Sequence, residues 1–227
     1  MLQNIIIFVY RNESDQSGVI LDYIMNRKTI FYIVFFFLLV VGFYFTMSQL
    51  IPGFGKSRLE PIGRVAPFSF INQDGKTVTE KDVAGKVFVA EYFFTTCKNI
   101  CPVMNGNMKT VHDRFKNERD FLILSHTSDP GTDSAATLKK YAQTLGADTE
   151  KWIFLTGRKD SLYKQARYSY RIDDPNSNLV DIKQDFIHSQ LFALIDKKGV
   201  VRNIYDGYLP SEVDKMMKEI EVLLKEK

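Results

Sequence analysis

The chain has 227 residues, of which 45% are hydrophobic and 25% are charged, with 13 glycines and 7 prolines. This composition is typical of a folded protein and excludes collagen, a disordered tail and a small disulfide-rich domain. A net charge of +3 spread over this length provides no basic patch of the kind that nucleic acid requires, so we expect no nucleic-acid partner.

The first predicted element is one transmembrane helix over residues 29–47. No charged residue lies between Lys28 and Lys56, and the apolar run is long enough to cross about 30 Å of hydrocarbon. A cleaved signal peptide has a shorter apolar core that ends in small residues, whereas this run ends in YFTM. A buried helix that is apolar on every side would need a large surrounding core. We therefore expect an uncleaved, single-pass anchor.

The basic residues Arg27 and Lys28, directly before the apolar run, indicate its orientation. By the positive-inside rule, residues 1–28 form a cytoplasmic tail, although two basic residues beyond the other end reduce the asymmetry. The predicted location is the inner (cytoplasmic) membrane, with the soluble domain on the periplasmic or extracytoplasmic side. Met25 is an alternative start, which would leave residues 1–24 untranslated.

Residues 48–67, which are rich in proline and glycine, are predicted to be a linker, and residues 68–227 one domain. Apolar periodicity predicts these elements in chain order: a hairpin Phe68–Val78, a strand Val87–Phe94, a helix after Pro102, a strand Phe121–Ser125, a helix Ala135–Leu145, a strand Trp152–Leu155, a helix Lys159–Tyr170, strands Gln190–Ile195 and Val200–Tyr205, and a helix from Ser211. Ser211 and Asp214 resemble a capping box. The order predicts an α/β fold with a central mixed sheet flanked by helices.

The two cysteines, Cys97 and Cys101, lie in TTCKNICPVMN, where the first long strand meets its helix. A disulfide placed for stability would close a longer loop, because a loop of about five residues contributes only roughly 2 kcal/mol, against about 4.7 for a hundred-residue loop. Pro102 suits the first helical position, and the positive end of a helix dipole favours thiolates. We therefore predict a functional pair at an exposed junction.

The spacing of Cys97 and Cys101 favours a metal-ligand pair while still permitting oxidation. A redox disulfide needs Cβ atoms about 3.8 Å apart, which a CxxC motif reaches more readily than the CxxxC spacing here. A metal with bonds of about 2.3 Å tolerates sulfurs that lie farther apart. A pair of soft thiolates with a single imidazole suits copper.

Three histidines are candidates for the imidazole. His112 is predicted to be solvent-exposed on a helix, His126 to follow the carboxyl end of a buried strand, and His188 to begin the hairpin strand. On spacing alone, each of the three is more typical of a structural residue than of a ligand.

Four segments, FFTTCKNICPVMN, SDPGTD, WIFLTG and FIHSQLFALIDKKGVV, resemble the SCO/SenC proteins in their order and separation, over most of residues 60–225. Members of that family are membrane-anchored, thioredoxin-like copper proteins that help to assemble the binuclear copper centre of cytochrome c oxidase. The resemblance implies that Cys97 and Cys101 are the thiolate ligands and that His188 is the imidazole ligand.

Asp129, Asp133 and Ile187 lie in or next to these motifs. Asp129 and Asp133 match the family pattern, but Asp133 is predicted to cap the following helix and Asp129 to begin a turn, so neither is a predicted ligand. Many members carry Asp directly before the histidine, where this chain has Ile187, with Asp185 two residues earlier. An Asp at that position could orient the imidazole by a hydrogen bond, so the difference affects the predicted orientation of the His188 ring and not its role as a ligand.

The resemblance implies a membrane-anchored metallochaperone that passes Cu(I) or Cu(II) to the copper-binding subunit of cytochrome c oxidase. The alternative is a thiol-disulfide reductase that keeps the cysteines of the oxidase copper site reduced, with Cys97 and Cys101 as its redox-active pair and Cys97 as the attacking thiolate. A third interpretation, a thioredoxin-like peroxidase, explains a reactive thiol but gives His188 no task.

Overall fold

The computed structural model describes residues 27–50, 62–176, 182 and 184–226. The chain divides into two compact units, Met1–Arg58 and Leu59–Lys227, which are described separately. The predicted alternative start at Met25, and all of the predicted tail before Arg27, lie outside the described residues.

In the first unit, helix α1 (Arg27–Leu50) includes the whole predicted transmembrane segment and extends beyond both of its ends. None of its side chains is buried, and its 24 residues at about 1.5 Å per residue span about 36 Å. Among the described residues, α1 is the one helix whose length and composition would allow it to cross a membrane.

The second unit is an α/β domain. Its strands are β1 (Gly63–Arg64), β2 (Ser69–Asn72), β3 (Thr77–Thr79), β4 (Val87–Phe93), β5 (Phe121–Thr127), β6 (Trp152–Thr156), β7 (Leu191–Ile195) and β8 (Val200–Asp206). Its helices are α2 (Ile100–Phe115), α3 (Ala135–Leu145), α4 (Lys159–Lys164) with a π-helical turn (Gln165–Tyr170), and α5 (Pro210–Lys225). Each strand and helix predicted for this domain is present, with ends that differ by at most a few residues.

The eight strands form one sheet in the order β1-β8-β7-β4-β5-β6-β2-β3. The central strands β4, β5 and β6 are parallel, and every other neighbouring pair is antiparallel. Strands β4 and β5 are buried along their whole length, as parallel strands covered on both faces should be. The predicted mixed sheet flanked by helices is therefore confirmed.

Two hydrophobic cores lie on opposite faces of this sheet. Helices α2, α3 and α5 cover one face, and α4 with the π-helical turn covers the other. Side chains alternate along β4, so that Val89 and Phe93 face α2 while Ala90 and Tyr92 face α4. The same alternation turns Glu91 toward α2.

The folded unit begins earlier than predicted. Strand β1 pairs with β8, and the Ile62 N–H donates to the Val201 carbonyl at 2.9 Å. Residues 48–50 belong to α1. The predicted linker over residues 48–67 is therefore too long at both ends, because short pairings with distant strands leave no local apolar pattern.

Two predicted helix caps are wrong. Ser134, not Asp133, is the N-cap of α3, and its hydroxyl accepts the Thr137 N–H at 3.2 Å. Helix α5 begins at Pro210, whose fixed φ suits the first turn, so Ser211 lies inside that turn and no side chain caps the helix.

The segment predicted as one α-helix over Lys159–Tyr170 changes its winding after Lys164. The π-helical turn Gln165–Tyr170 ends at Arg171, whose φ of 61° is left-handed. A π-helical turn holds one more residue than an α-helical turn, and such turns occur often at functional sites. Here the turn precedes, in the chain, the segment that carries His188.

Candidate metal centre

Cys97 and Cys101 lie at the carboxyl end of β4, where the chain crosses into α2. Cys97 is half-buried in the connecting loop, and Cys101, the second residue of α2, is buried with 3% exposure. Both thiols are free, and the Cys101 N–H donates to the Cys97 sulfur at 3.4 Å. The helix begins two residues before Pro102, so the prediction that Pro102 takes its first position is wrong. The Cys97 sulfur accepts an N–H group of the first helical turn, while Cys101 belongs to the core.

The two thiols ionise differently. Burial tends to raise the pKa of Cys97, but hydrogen bonds from the Cys101 thiol and from the N–H groups of Cys101, Asn99 and Ile100 outweigh it and lower the pKa. Burial, together with the hydrogen bond to Cys97, raises the pKa of Cys101 to about 12. The pair therefore holds its first negative charge on Cys97, the more accessible sulfur.

A cleft of about 490 Å³ is lined by both cysteines and by His188. His188 is exposed, its ring centroid lying 4.6 Å from that of Phe186 and 6.1 Å from that of Phe94. The three residues that the resemblance implied as ligands thus line one cleft, although His188 follows Cys101 by nearly ninety residues.

The three side chains share the cleft without being drawn together around one point. Within the part of the chain that the structure describes, no three His, Cys, Asp or Glu side chains lie close enough to hold a metal ion. Coordination by both sulfurs and the imidazole would therefore require His188 to move toward the thiols. The chemistry of the donors, two sulfurs and one nitrogen, fits copper.

The other two histidines do not line this cleft. His112 was predicted to be exposed but is buried, because the Trp152 ring packs on it and its Nε2 accepts the Asp148 N–H at 3.2 Å. His126 lies within β5, not after it, and stacks on Tyr92 at a centroid distance of 5.0 Å. Its complete burial lowers its pKa to about 3.

The carboxylate nearest to His188 in sequence has another partner. Asp185 is buried and accepts two hydrogen bonds from Arg167, at 2.6 and 2.9 Å. Ile187, at the position where many family members carry Asp, is buried in the core next to α4. The sequence indicated the difference at Ile187 but could not indicate that Asp185 pairs with an arginine.

Asp133 holds the loop that leads to Cys97. It is fully buried and accepts the Thr95 N–H at 3.1 Å and the Thr95 hydroxyl, while the Thr127 hydroxyl donates to it at 2.6 Å. These bonds join the ends of β4 and β5. The predicted turn at Asp129 is confirmed, because its carbonyl accepts the Asp133 N–H at 2.8 Å.

Sequence reasoning missed a buried polar group behind Cys101. Glu91 is fully buried on the α2 face of β4, where burial raises its pKa to about 7 against the opposing effect of a hydrogen bond from Ser125. The Ser125 hydroxyl in turn accepts the indole N–H of Trp152 at 2.7 Å. The available signal was an acidic residue inside the apolar run VFVAEYFF.

Comparison with known proteins gives consistent results. A family model described as SCO1/SenC matches residues 58–225. The SCO1 protein homolog of Bacillus subtilis (strain 168) is 31% identical over 171 residues, which are 73% of this chain and 86% of the relative. The structure of BsSco, a Sco-family cytochrome c oxidase assembly protein with a disulfide switch, aligns with a TM-score of 0.62 and 31% identity, covering 74% of this chain and 98% of BsSco.

A structure of ScoI from Arabidopsis thaliana with copper bound is also similar, with a TM-score of 0.57 and 25% identity over 72% of this chain and 99% of ScoI. The likeness to these Sco structures confirms the thioredoxin-like fold that the sequence motifs implied. The match to the family model, over residues 58–225, includes both cysteines and His188.

Proposed function

The chain belongs to the SCO1/SenC family, and on that premise we propose that it is a membrane-anchored copper metallochaperone. It binds copper through Cys97, Cys101 and His188 and delivers it to the binuclear copper centre of cytochrome c oxidase. The observation that carries this proposal is that two thiols and one imidazole, distant in sequence, line a single cleft. The copper-bound Arabidopsis ScoI supports it.

The unequal burial of the ligands suggests how copper leaves the site. Cys101 is buried, whereas Cys97 is half-buried and His188 is exposed. A thiolate of the oxidase subunit therefore meets copper from the side of Cys97 and His188. Transfer proceeds by exchange of these two ligands, while Cys101 holds the ion until the partner's ligands replace it.

Helix α1 supplies the anchor. Its length of about 36 Å exceeds the roughly 30 Å thickness of a hydrocarbon core, and no acidic or basic residue follows Lys28 within it. Arg27 and Lys28 at its first turn favour a cytoplasmic N-terminus. The copper-binding domain then lies on the extracytoplasmic side of the inner membrane, where it meets the oxidase subunit.

A second candidate is a thiol-disulfide reductase that acts on the same oxidase cysteines. The low pKa of Cys97 beside the high pKa of Cys101 favours it, because an attacking thiolate needs a resolving thiol nearby. The disulfide switch of BsSco is consistent with such chemistry. Both candidates use both cysteines, so cysteine variants alone do not separate them.

His188→Ala separates the two functions. If the protein holds copper, the variant loses its imidazole ligand, its Cu(II) absorption changes or disappears, and oxidase maturation falls although both thiols remain. If it acts by thiol exchange, the rate depends on Cys97, and oxidase maturation stays close to that of the wild type. The matched control is Lys98→Ala, which changes an exposed residue lining the same cleft.

Two measurements on each variant decide the question: Cu(II) absorption of the purified protein, and oxidase activity of cells that carry it. Loss of both in His188→Ala, with Lys98→Ala unaffected, supports the metallochaperone. Lost copper absorption with full oxidase activity contradicts it and favours the reductase. Unchanged copper absorption removes His188 from the site.

A further inference from the structure

The chain segment before His188 is fixed to the π-helical turn by a buried arginine. Arg167 is 3% exposed and Asp185 is 5% exposed. The two Nη atoms of Arg167 donate to both carboxylate oxygens of Asp185 at 2.6 and 2.9 Å, and its Nε donates to Asp173 at 2.6 Å. One guanidinium therefore joins the two ends of the loop that follows the turn.

A tyrosine one turn earlier on α4 fixes the same segment at a second point. The Ile187 N–H donates to the Tyr163 hydroxyl at 3.3 Å, and that hydroxyl donates to the Ser128 carbonyl at 2.8 Å. The Arg167 guanidinium lies 5.5 Å from the centre of the Tyr163 ring. Ser128 lines the same cleft as His188, so the Tyr163 hydroxyl connects the residue before His188 to the cleft wall.

The residue after His188 is also held. The Ser189 hydroxyl donates to the Ile172 carbonyl at 2.6 Å, and the Leu191 N–H donates to that hydroxyl at 3.2 Å as β7 begins. His188 is thus an exposed side chain on a backbone that is fixed on both sides. The position of its backbone follows from where Asp185, Ile187 and Ser189 are held.

A buried ion pair is weak evidence of stability, because a hydrophobic pair of the same size is often at least as stable. A bidentate guanidinium–carboxylate contact instead provides a defined geometry. Here that geometry is imposed on the three residues before a histidine, not on a strand or a helix of the core.

We propose that Arg167 is a positioning residue that, through Asp185, holds the backbone of His188 beside the cleft lined by Cys97 and Cys101, so that its imidazole can reach the two thiols. The proposal rests on the proposed function only in that His188 binds copper. The placement of the imidazole by Arg167 is a property of the copper-free protein and is tested there as well.

The first test is carried out without metal on the full chain in detergent micelles, with histidine labelled at Cε1 for NMR. His188 packs on Phe186, whose ring current shifts its signal, while His112 and His126 are buried elsewhere. In Arg167→Met, the His188 signal should move to the position of an unstructured histidine, and the other two signals should stay. Arg158→Met, which removes an exposed arginine, should move none of the three.

The second test adds copper to the same variants. Arg167→Met should bind Cu(II) about 10- to 100-fold more weakly than the wild type, the range typical of residues that orient metal ligands, and its spectrum should resemble that of His188→Ala. Arg167→Lys keeps the charge but not the two-pronged contact, so its affinity should lie between those of wild type and Arg167→Met.

An unchanged His188 signal and an unchanged copper spectrum in Arg167→Met would overturn the proposal. If Arg167→Met unfolds, so that all three histidine signals move to unstructured positions, the same NMR and copper measurements are made on Asp185→Asn. This variant keeps the shape of the carboxylate, and the same two outcomes support or overturn the proposal. If the wild type binds no copper, the proposed function fails, while the metal-free NMR test still accepts or rejects the role of Arg167.

Discussion

The backbone N–H of Cys101 points at the sulfur of Cys97, 3.4 Å away. This contact is one of several that make the two cysteines chemically different: N–H groups at the start of the helix stabilise charge on Cys97, while burial disfavours charge on Cys101. Cys97 faces the cleft as the more acidic thiol, and Cys101 remains protonated in the core.

Alkylation should therefore be selective. At neutral pH, iodoacetamide should modify Cys97 at least about tenfold faster than Cys101, because the thiolate is the nucleophile and a larger fraction of Cys97 is ionised. A thiolate of lower pKa is less nucleophilic, but this only partly offsets the larger ionised fraction. Quenched time points analysed by peptide mass spectrometry give the two rates. Equal rates, or faster modification of Cys101, would contradict the assignment of Cys97 as the ionised thiol.

Serine substitutions should affect copper equally but stability unequally. Both Cys97→Ser and Cys101→Ser should lose Cu(I) retention in dialysis against a competing chelator, because one thiolate and one imidazole leave a soft ion under-coordinated. Cys101→Ser also places a hydroxyl in the core and should lower the free energy of unfolding by about 1 to 3 kcal/mol. Cys97→Ser should change it by less than about 0.5 kcal/mol.

The burial of Cys101 in the structure already shows that the expectation of an exposed junction for both cysteines is wrong. Copper retention at the wild-type level by either variant would contradict the two-thiolate site. Equal stability of the two variants would show that the burial of Cys101 does not matter to the fold.

Strands β4 and β5 were predictable from the sequence because both are buried on both faces and are therefore mostly apolar along their length. The cysteine pair was predictable from its chemistry and spacing at a strand-helix junction. Features that depend on distant residues were not: His112, predicted to be exposed, is buried by Trp152, forty positions later. That His188 shares the cleft of the cysteines is likewise a tertiary fact, which only the family resemblance could suggest.

Glu91 should make the folded domain less stable as the pH rises. Burial raises its pKa from 4.5 to about 7, against the hydrogen bond from Ser125. The unfolded chain therefore loses this proton at a lower pH than the folded protein, and stability present below pH 4.5 is lost as the pH rises through about 7. The change corresponds to about 3 kcal/mol.

The quantity to compare is the free energy of unfolding of the wild type minus that of Glu91→Gln. The subtraction is needed because the ionisation of His126 changes stability with pH in the opposite direction. Burial lowers the pKa of His126 from 6.5 to about 3, so between these pH values the histidine is protonated in the unfolded chain but neutral in the folded protein. The free energy of unfolding therefore rises as the pH rises from about 3 to 6.5. Urea unfolding followed by the fluorescence of Trp152, at about pH 5 and about pH 8, gives both free energies. A wild-type-minus-variant difference that does not fall between these pH values would contradict the ionisation assigned to Glu91.

The orientation of the anchor can be tested in cells. A reporter that folds only in the cytoplasm, fused after Lys227, should give no signal if the copper-binding domain is exported. Replacing Arg27 and Lys28 with glutamine removes the charge bias and should produce some signal, because orientation follows the basic residues that flank the apolar segment. A strong signal from the unaltered chain would place the domain in the cytoplasm, where thiols stay reduced.

The π-helical turn Gln165–Tyr170 limits how this part of the chain can change in length. Each α-helical residue turns the chain by about 100°, so deleting one residue from this segment would restore regular winding and rotate everything after it by that angle. Tyr170 and Ile172, both buried, would then leave the core, and the loop that they start would no longer return to Arg167. Natural variation in length should therefore collect between residues 174 and 184 and be absent from the turn itself, a pattern visible in any large collection of related sequences.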